Sequence, residues 1–168
     1  MQFNLRDVER SAEGIHIEAE VDVNRVADES QQVKSIGCAH AHATAMLRKA
    51  IYHVEGKVCA NVSYVCSRCL ESFAAEVEAP LDVGFTTVQE KADDEVTFVK
   101  TDVVQLDGYV EEALFLALAY NPVCSLSCRG LCPTCGQNWN EKRCTCDNRK
   151  IDPRLAALGD LLSSHDSE

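Results

Sequence analysis

The chain has 168 residues, 46% of them hydrophobic and 26% charged, which excludes wholesale disorder and leaves room for one domain or one domain with a small appendage. Sixteen Lys and Arg stand against 27 Asp and Glu, and the net charge of -11 excludes a protein that coats nucleic acid by bulk charge. No window approaches the ~18 consecutive apolar residues of a membrane span. The opening Met1-Gln2-Phe3-Asn4-Leu5-Arg6-Asp7 has neither a basic nor an apolar leader region, so the expected location is cytoplasmic.

The first elements read as sheet. Ile15, Ile17, Ala19, Val21 and Val23 alternate with polar residues, the period of a strand with one buried face. Residues 35–48 are Ala-rich and fit either a strand or a helix; His40 and His42 there suit one strand face. Val58, Ala60, Val62 and Tyr64 predict a second strand, and the run from Phe73 to Phe85 a third, with Pro80 marking an edge or a bulge. Residues 90–95 read as a polar loop and Val96 to Val99 as a short strand. Over 107–120 the period changes. Val110, Ala113, Leu114, Ala117 and Leu118 recur at helical spacing, with Asp107 as the expected N-cap and Asn121-Pro122 as the stop. A terminal helix is expected after Asp152-Pro153, its apolar stripe formed by Leu155, Leu158, Leu161 and Leu162. The expected fold is α+β: a mainly antiparallel sheet with one substantial helix and a C-terminal cysteine-rich zinc knuckle. The organisation follows as an acidic sheet domain with its closing helix (1–121), a cysteine-rich module (122–150), and a terminal helix with a short tail (151–168).

The chain has ten cysteines, and their clustering carries the chemistry. In a reducing compartment, clustered thiols point to metal rather than to disulfides. Cys38 and Cys59 stand alone and read as small core or sheet residues. Cys66-x2-Cys69 and Cys132-x2-Cys135 are knuckle pairs, and Gly136 supplies the positive φ that such a turn favours. Cys144 and Cys146 lie close enough to close a local site with the second pair, which leaves Cys124 and Cys128 for the first. The preferred assignment is two four-cysteine zinc sites: Cys66, Cys69, Cys124, Cys128 and Cys132, Cys135, Cys144, Cys146. A rival joins Cys66 and Cys69 to Cys132 and Cys135. Trp139 is either an anchor of a small core or a surface stacking residue.

Residues 122–154 carry a net charge of +3 on an otherwise acidic chain. Arg129, Lys142, Arg143, Arg149, Lys150 and Arg154 surround the cysteines and form a candidate phosphate-binding end. Catalysis has little support. Four thiolates saturate zinc and leave no position for a reacting water. No metalloprotease, P-loop, dinucleotide or nucleophile-elbow motif is present. Redox thiols are the remaining catalytic reading, but the alternating strands and helices of a thioredoxin-like context are absent.

Three stretches resemble the YceD family of large ribosomal RNA subunit accumulation proteins. Cys66-Ser67-Arg68-Cys69-Leu70-Glu71-Ser72-Phe73 matches its C-x-R-C-L-x-x-F element. The Leu/Ala-rich helix runs into Asn121-Pro122-Val123-Cys124. The third stretch runs from Gly130-Leu131-Cys132-Pro133-Thr134-Cys135-Gly136 to Asn140, then through Cys144-x-Cys146 to Ile151-Asp152-Pro153-Arg154-Leu155-Ala156-Ala157-Leu158. Trp139 replaces a common Leu, and the Ala/His-rich 38–50 region is atypical; neither touches the motif cysteines. The resemblance implies a noncatalytic cytoplasmic factor needed for 23S ribosomal RNA to accumulate. Some branches lack the second quartet, which makes that site an accessory. The expected partners are ribosomal RNA or a large-subunit assembly intermediate, or a basic ribosomal protein on the acidic face, with neither membrane nor small-molecule substrate. A zinc-stabilised protein adaptor acting on assembly indirectly, or a thiol-redox protein, are the alternative functions.

Overall fold

The computed structural model describes residues 1–147. The expected terminal helix, together with Arg149, Lys150 and Arg154, lies outside the described residues. In chain order the elements are β1 (Gln2–Asn4), α1 (Leu5–Arg10), β2 (Ile15–Val21), α2 (Asn24–Glu29), β3 (Val33–Ile36), β4 (Ala39–Arg48), β5 (Ile51–Val65), β6 (Ser72–Thr86), β7 (Val96–Phe98), β8 (Val103–Gln105) and α3 (Asp107–Ala117).

The fold is α+β, built on a six-stranded sheet ordered β2-β4-β5-β6-β7, with β3 pairing β5 beyond the end of β4. All its pairs are antiparallel except β6–β7, which run parallel from Gly84↔Val96 to Thr86↔Phe98. Its spine is the hairpin of β5 and β6, paired without a break from Tyr52↔Phe85 to Val65↔Ser72. The turn of that hairpin is the Cys66–Cys69 knuckle. Antiparallel pairing with β2 and β5 settles residues 35–48 as strand, interrupted at Gly37-Cys38. Ala39, Ala41, Ala43 and Ala45 are buried, while His40 and His42 face out beside Glu20 and Glu18 at 3.5 and 3.4 Å. Cys59 is half-buried in β5, whereas Cys38 is exposed in the break and is not a core residue.

One sheet face is covered and the other solvated. Val54, Val58, Ala79, Leu81 and Phe85 share one core with Leu106, with Val110 and Leu114 of α3 and with Leu5 and Val8 of α1. Full burial of a side chain such as Leu114 contributes about 1.5–3 kcal/mol. Two features near α3 differ from expectation. Leu106, not Asp107, takes the N-cap position, and Asp107 sits in the first turn with its carboxylate accepting from the Met1 amino group. A carboxylate there is favourable because the helix N-terminus carries partial positive charge. The helix also ends at Ala117, where Leu118 turns extended at φ -62 and ψ 138. That exit carries the chain to Pro122, whose carbonyl accepts from the Ser67 N–H at 2.8 Å. The short α1, α2 and the β1–β8 pair were invisible to periodicity, being three to six residues long.

Candidate metal centres

The first cluster forms where the β5–β6 turn meets the segment after α3. Cys66 Sγ lies 3.9 Å from Cys128 Sγ, and Cys69 Sγ lies 3.7 Å from Cys124 Sγ. All four sulfurs fall within 4.8 Å of one another and could hold a metal ion. A tetrahedral ion with metal–sulfur bonds of about 2.3 Å spaces its sulfurs by about 3.8 Å, close to these distances. Cys66, Cys69 and Cys128 are buried at 0%, 3% and 6% exposure, with Phe73, Val123 and Leu131 packed around them.

Cys132, Cys135, Cys144 and Cys146 make the second group, which meets the same distance criterion. The rival grouping of Cys66 and Cys69 with Cys132 and Cys135 is not the arrangement found. Gly136 N–H donates to the Cys132 carbonyl, and Cys132 N–H to the Gln137 carbonyl, both at 2.9 Å. Trp139 is half-buried; its N–H donates to the Gly130 carbonyl at 2.9 Å and its indole N–H to Cys144 Sγ at 3.3 Å. It is an anchor of this module rather than an outward stacking surface.

Both knuckles use one geometry. Leu70 N–H donates to the Cys66 carbonyl at 2.9 Å, and Cys66 N–H donates to the Glu71 carbonyl at 2.9 Å, matching the second knuckle bond for bond. The residue after the second cysteine therefore needs positive φ in both turns. Gly136 has φ 74, while Leu70 has φ 60 and is 64% exposed.

The clusters interlock through residues that the spacing of cysteines does not reveal. The Arg68 guanidinium donates to the carbonyls of Cys128 at 3.1 Å and Leu126 at 3.4 Å, tying the first knuckle to the strap that carries its partners. Leu131 N–H donates to the Arg68 carbonyl at 3.1 Å. Gly130 runs so close to that carbonyl that a Cβ would stand 2.9 Å from it. Asn140 donates through Nδ2 to Cys128 Sγ at 3.3 Å and accepts from Arg129 N–H at 2.8 Å. Arg68 lies within the C-x-R-C element, but its spacing signals neither its role nor that of Asn140.

Four thiols so close compete for negative charge, and each cluster divides accordingly. At Cys66 burial raises the pKa, but N–H donors from Cys124, Cys69 and Arg68 together bring it down to about 6. Cys124 is pushed up to about 12 by desolvation and then by its thiol neighbours. The Asn140 amide lowers Cys128, and the Trp139 indole N–H lowers Cys144. Cys146 is raised to about 12, first by the Cys135 thiol and then by desolvation. A divalent cation among such donors favours the thiolate at every position.

Arg129, Lys142 and Arg143 are exposed around the second cluster, and none makes an ion pair among the described residues. No helix among the described residues is long and apolar enough to cross a membrane.

Comparison with known proteins adds identity to this geometry. The family profile described as large ribosomal RNA subunit accumulation protein YceD matches residues 54–162. An uncharacterized protein of Mycobacterium tuberculosis is 32% identical over 65% of this chain and 55% of its own length. The chloroplastic YCED homolog 1 of Arabidopsis thaliana, named as a large ribosomal RNA subunit accumulation protein, is 23% identical over 68% of this chain and 45% of its own. The uncharacterized protein YlbN of Bacillus subtilis is 23% identical over 87% of both chains. The chain thus spans about half the length of the mycobacterial relative. No solved structure matches the chain significantly.

Proposed function

The chain belongs to the YceD family, and on that premise we propose that it is a noncatalytic zinc-binding factor supporting 23S ribosomal RNA accumulation and large-subunit biogenesis. The family is named for accumulation of an RNA and not for a reaction. Zinc is the metal that all-thiolate tetrahedral sites favour alongside iron–sulfur centres, and four thiolates close it to substrate. Its role would be structural: Cys66, Cys69, Cys124 and Cys128 would clamp the hairpin to the following strap, and the second quartet would shape residues 130–147.

One observation carries the RNA reading. The interlocked clusters hold Arg129, Lys142 and Arg143 exposed and without an ion pair among the described residues, at the one basic stretch of an acidic chain. Such an end contacts phosphates without reading sequence. The solvated sheet face, lined by Glu18, Glu20, Glu76 and Glu78, repels RNA and confines contact to this end. Arg149, Lys150 and Arg154 extend the same proposal beyond the described residues. The test is depletion in the source cells, followed by profiling of 23S RNA and large-subunit precursors. A fall in 23S RNA with accumulating precursors is expected; unchanged profiles overturn the reading. With the purified metal-loaded chain, each of R129Q, K142Q and R143Q should lower the log–log salt slope of RNA binding by about 1.

A further inference from the structure

The long strand β6 is paired from Ser72 to Phe85 with β5, but on its other side, among the described residues, only Gly84, Phe85 and Thr86 are paired, with β7. Among the described residues no strand pairs Ser72–Val83 on that side. The direction of the unpaired groups follows from one bond. Val99 N–H donates to the Thr86 carbonyl at 2.9 Å, so the backbone of Thr86 faces the β7 side. In a strand the N–H and C=O of one residue point the same way, and successive residues alternate. The β5–β6 register is unbroken, so Ser72, Ala74, Glu76, Glu78, Pro80 and Asp82 also face the open side. Pro80 has no N–H to offer there, which is where a proline is tolerated in a sheet. From Ser72 to Glu78 the edge presents four donors and four acceptors in strand geometry.

At the Pro80–Gly84 end of this strand, between β6, β7 and α3, lies an open groove of about 680 Å³. Leu81, Val83, Ala113 and Leu116 are its apolar lining, and Asp82 and Glu112 are among its acidic lining residues. Leu116 is 77% exposed, an unusual position for a leucine on a short helix packed against a sheet. Glu76, Asp82 and Glu112 make no ion pair among the described residues.

We propose that the Ser72–Asp82 edge of β6 accepts an extended Lys- or Arg-rich peptide segment of a partner protein as an added strand, with its cations against Glu76, Asp82 and Glu112. Strand addition supplies main-chain hydrogen bonds, and the carboxylates select the sign of the side chains. A second copy of this chain is disfavoured, because edge-to-edge pairing would set Glu76 and Glu78 against their own counterparts. The same acidic residues and Pro80 act against self-association while leaving the edge open to a strand of opposite charge. The surface is remote in sequence from Arg129, Lys142 and Arg143, and it stands whether or not those residues touch RNA.

The test uses the metal-loaded full chain and a twelve-residue peptide of Lys-Lys-Thr repeats, which puts cations on both faces of an added strand, with a Glu-Glu-Thr repeat peptide as control. Calorimetry should show binding of the first and not the second. Amide exchange at Ser72, Ala74, Glu76 and Glu78 should slow at least about tenfold in the complex, as expected for amides newly bonded to a strand. Glu76→Pro removes one open-side donor without touching the β5 ladder, and should weaken binding about tenfold at unchanged melting temperature. Glu112→Lys should weaken it about fivefold. Binding without slowed exchange at those four amides overturns the proposal, as does equal binding of the acidic peptide. Protection of the same amides by a single-stranded RNA oligomer also overturns it. The exchange measurement on the unaltered chain decides the matter if Glu76→Pro does not fold.

Discussion

Asn140 donates its side-chain N–H to the sulfur of Cys128 at 3.3 Å, so a residue from the second knuckle module stabilises a thiolate of the first cluster. The two centres are therefore mechanically coupled although they share no cysteine.

Removing that amide should loosen the first centre. Asn140→Ala deletes the bond to Cys128 and orphans the Arg129 N–H. Outer-shell partners of metal ligands typically carry about 10–100-fold in affinity. Chelator competition should show a loss within that range at the first-cluster metal, with the second little changed.

Leu70 and Gly136 occupy equivalent turns, and only glycine is at ease there. A non-glycine residue in the left-handed region costs about 1–2 kcal/mol, partly offset by the larger unfolded-state entropy of glycine. Leu70→Gly should stabilise the metal-loaded protein by about 0.5–1 kcal/mol, and Gly136→Leu should destabilise it by at least as much. Thermal unfolding of the two variants should move in opposite directions.

Ligand loss should be unequal. Cys69 is buried in the turn of the main hairpin, whereas Cys135 is exposed in the second module. Apparent zinc binding of about 10 kcal/mol or more in such modules is folding energy. Cys135→Ser should drop one metal per chain and spare the amide protection of β5 and β6. Cys69→Ser should release metal from the first centre and expose the upper hairpin, residues 62–65 and 72–75. Equal loss of protection in both variants would contradict separate centres.

Alkaline stability should report Tyr52. Its hydroxyl donates to Glu9 at 2.6 Å and joins β5 to α1. Burial first, and then the hydrogen bond and charge of Glu9, push its pKa up to about 12 from 10.0. A raised folded-state pKa means that the neutral form is favoured by folding. Its contribution is complete below pH 10 and is lost as pH rises from 10 towards 12. Tyr52→Phe should cost about 1 kcal/mol at neutral pH. In that variant the part of the alkaline destabilisation between pH 10 and 12 due to Tyr52 should disappear, as urea unfolding at stepped pH would show.

Local order determined much of this protein before any fold was known. Alternation in 15–21 and 73–85, the helical recurrence of Val110 and Leu114, and the C-x2-C pairs all arise from neighbours within a few residues. Period and turn chemistry are set by the backbone itself, so they can be read from spacing. The ambiguity at 35–48 shows the limit of that reading, because alanine satisfies strand and helix alike. It became strand only through the registers Ala41↔Val58 and Ala43↔Ile17, partners supplied from elsewhere in the chain.

What tertiary structure decided depends on groups far apart in sequence. Cys66 meets Cys128 across 62 positions and Cys69 meets Cys124 across 55, and spacing alone left two groupings open. The shortening of α3 at Leu118, the parallel β7 and the side of β6 left unpaired among the described residues follow from where the chain must travel after each element. Side chains such as Arg68 and Asn140 gained their roles only when folding placed a carbonyl or a sulfur beside them. Composition carries no information about such encounters, because the free energy of a contact depends on the partner that the rest of the chain delivers.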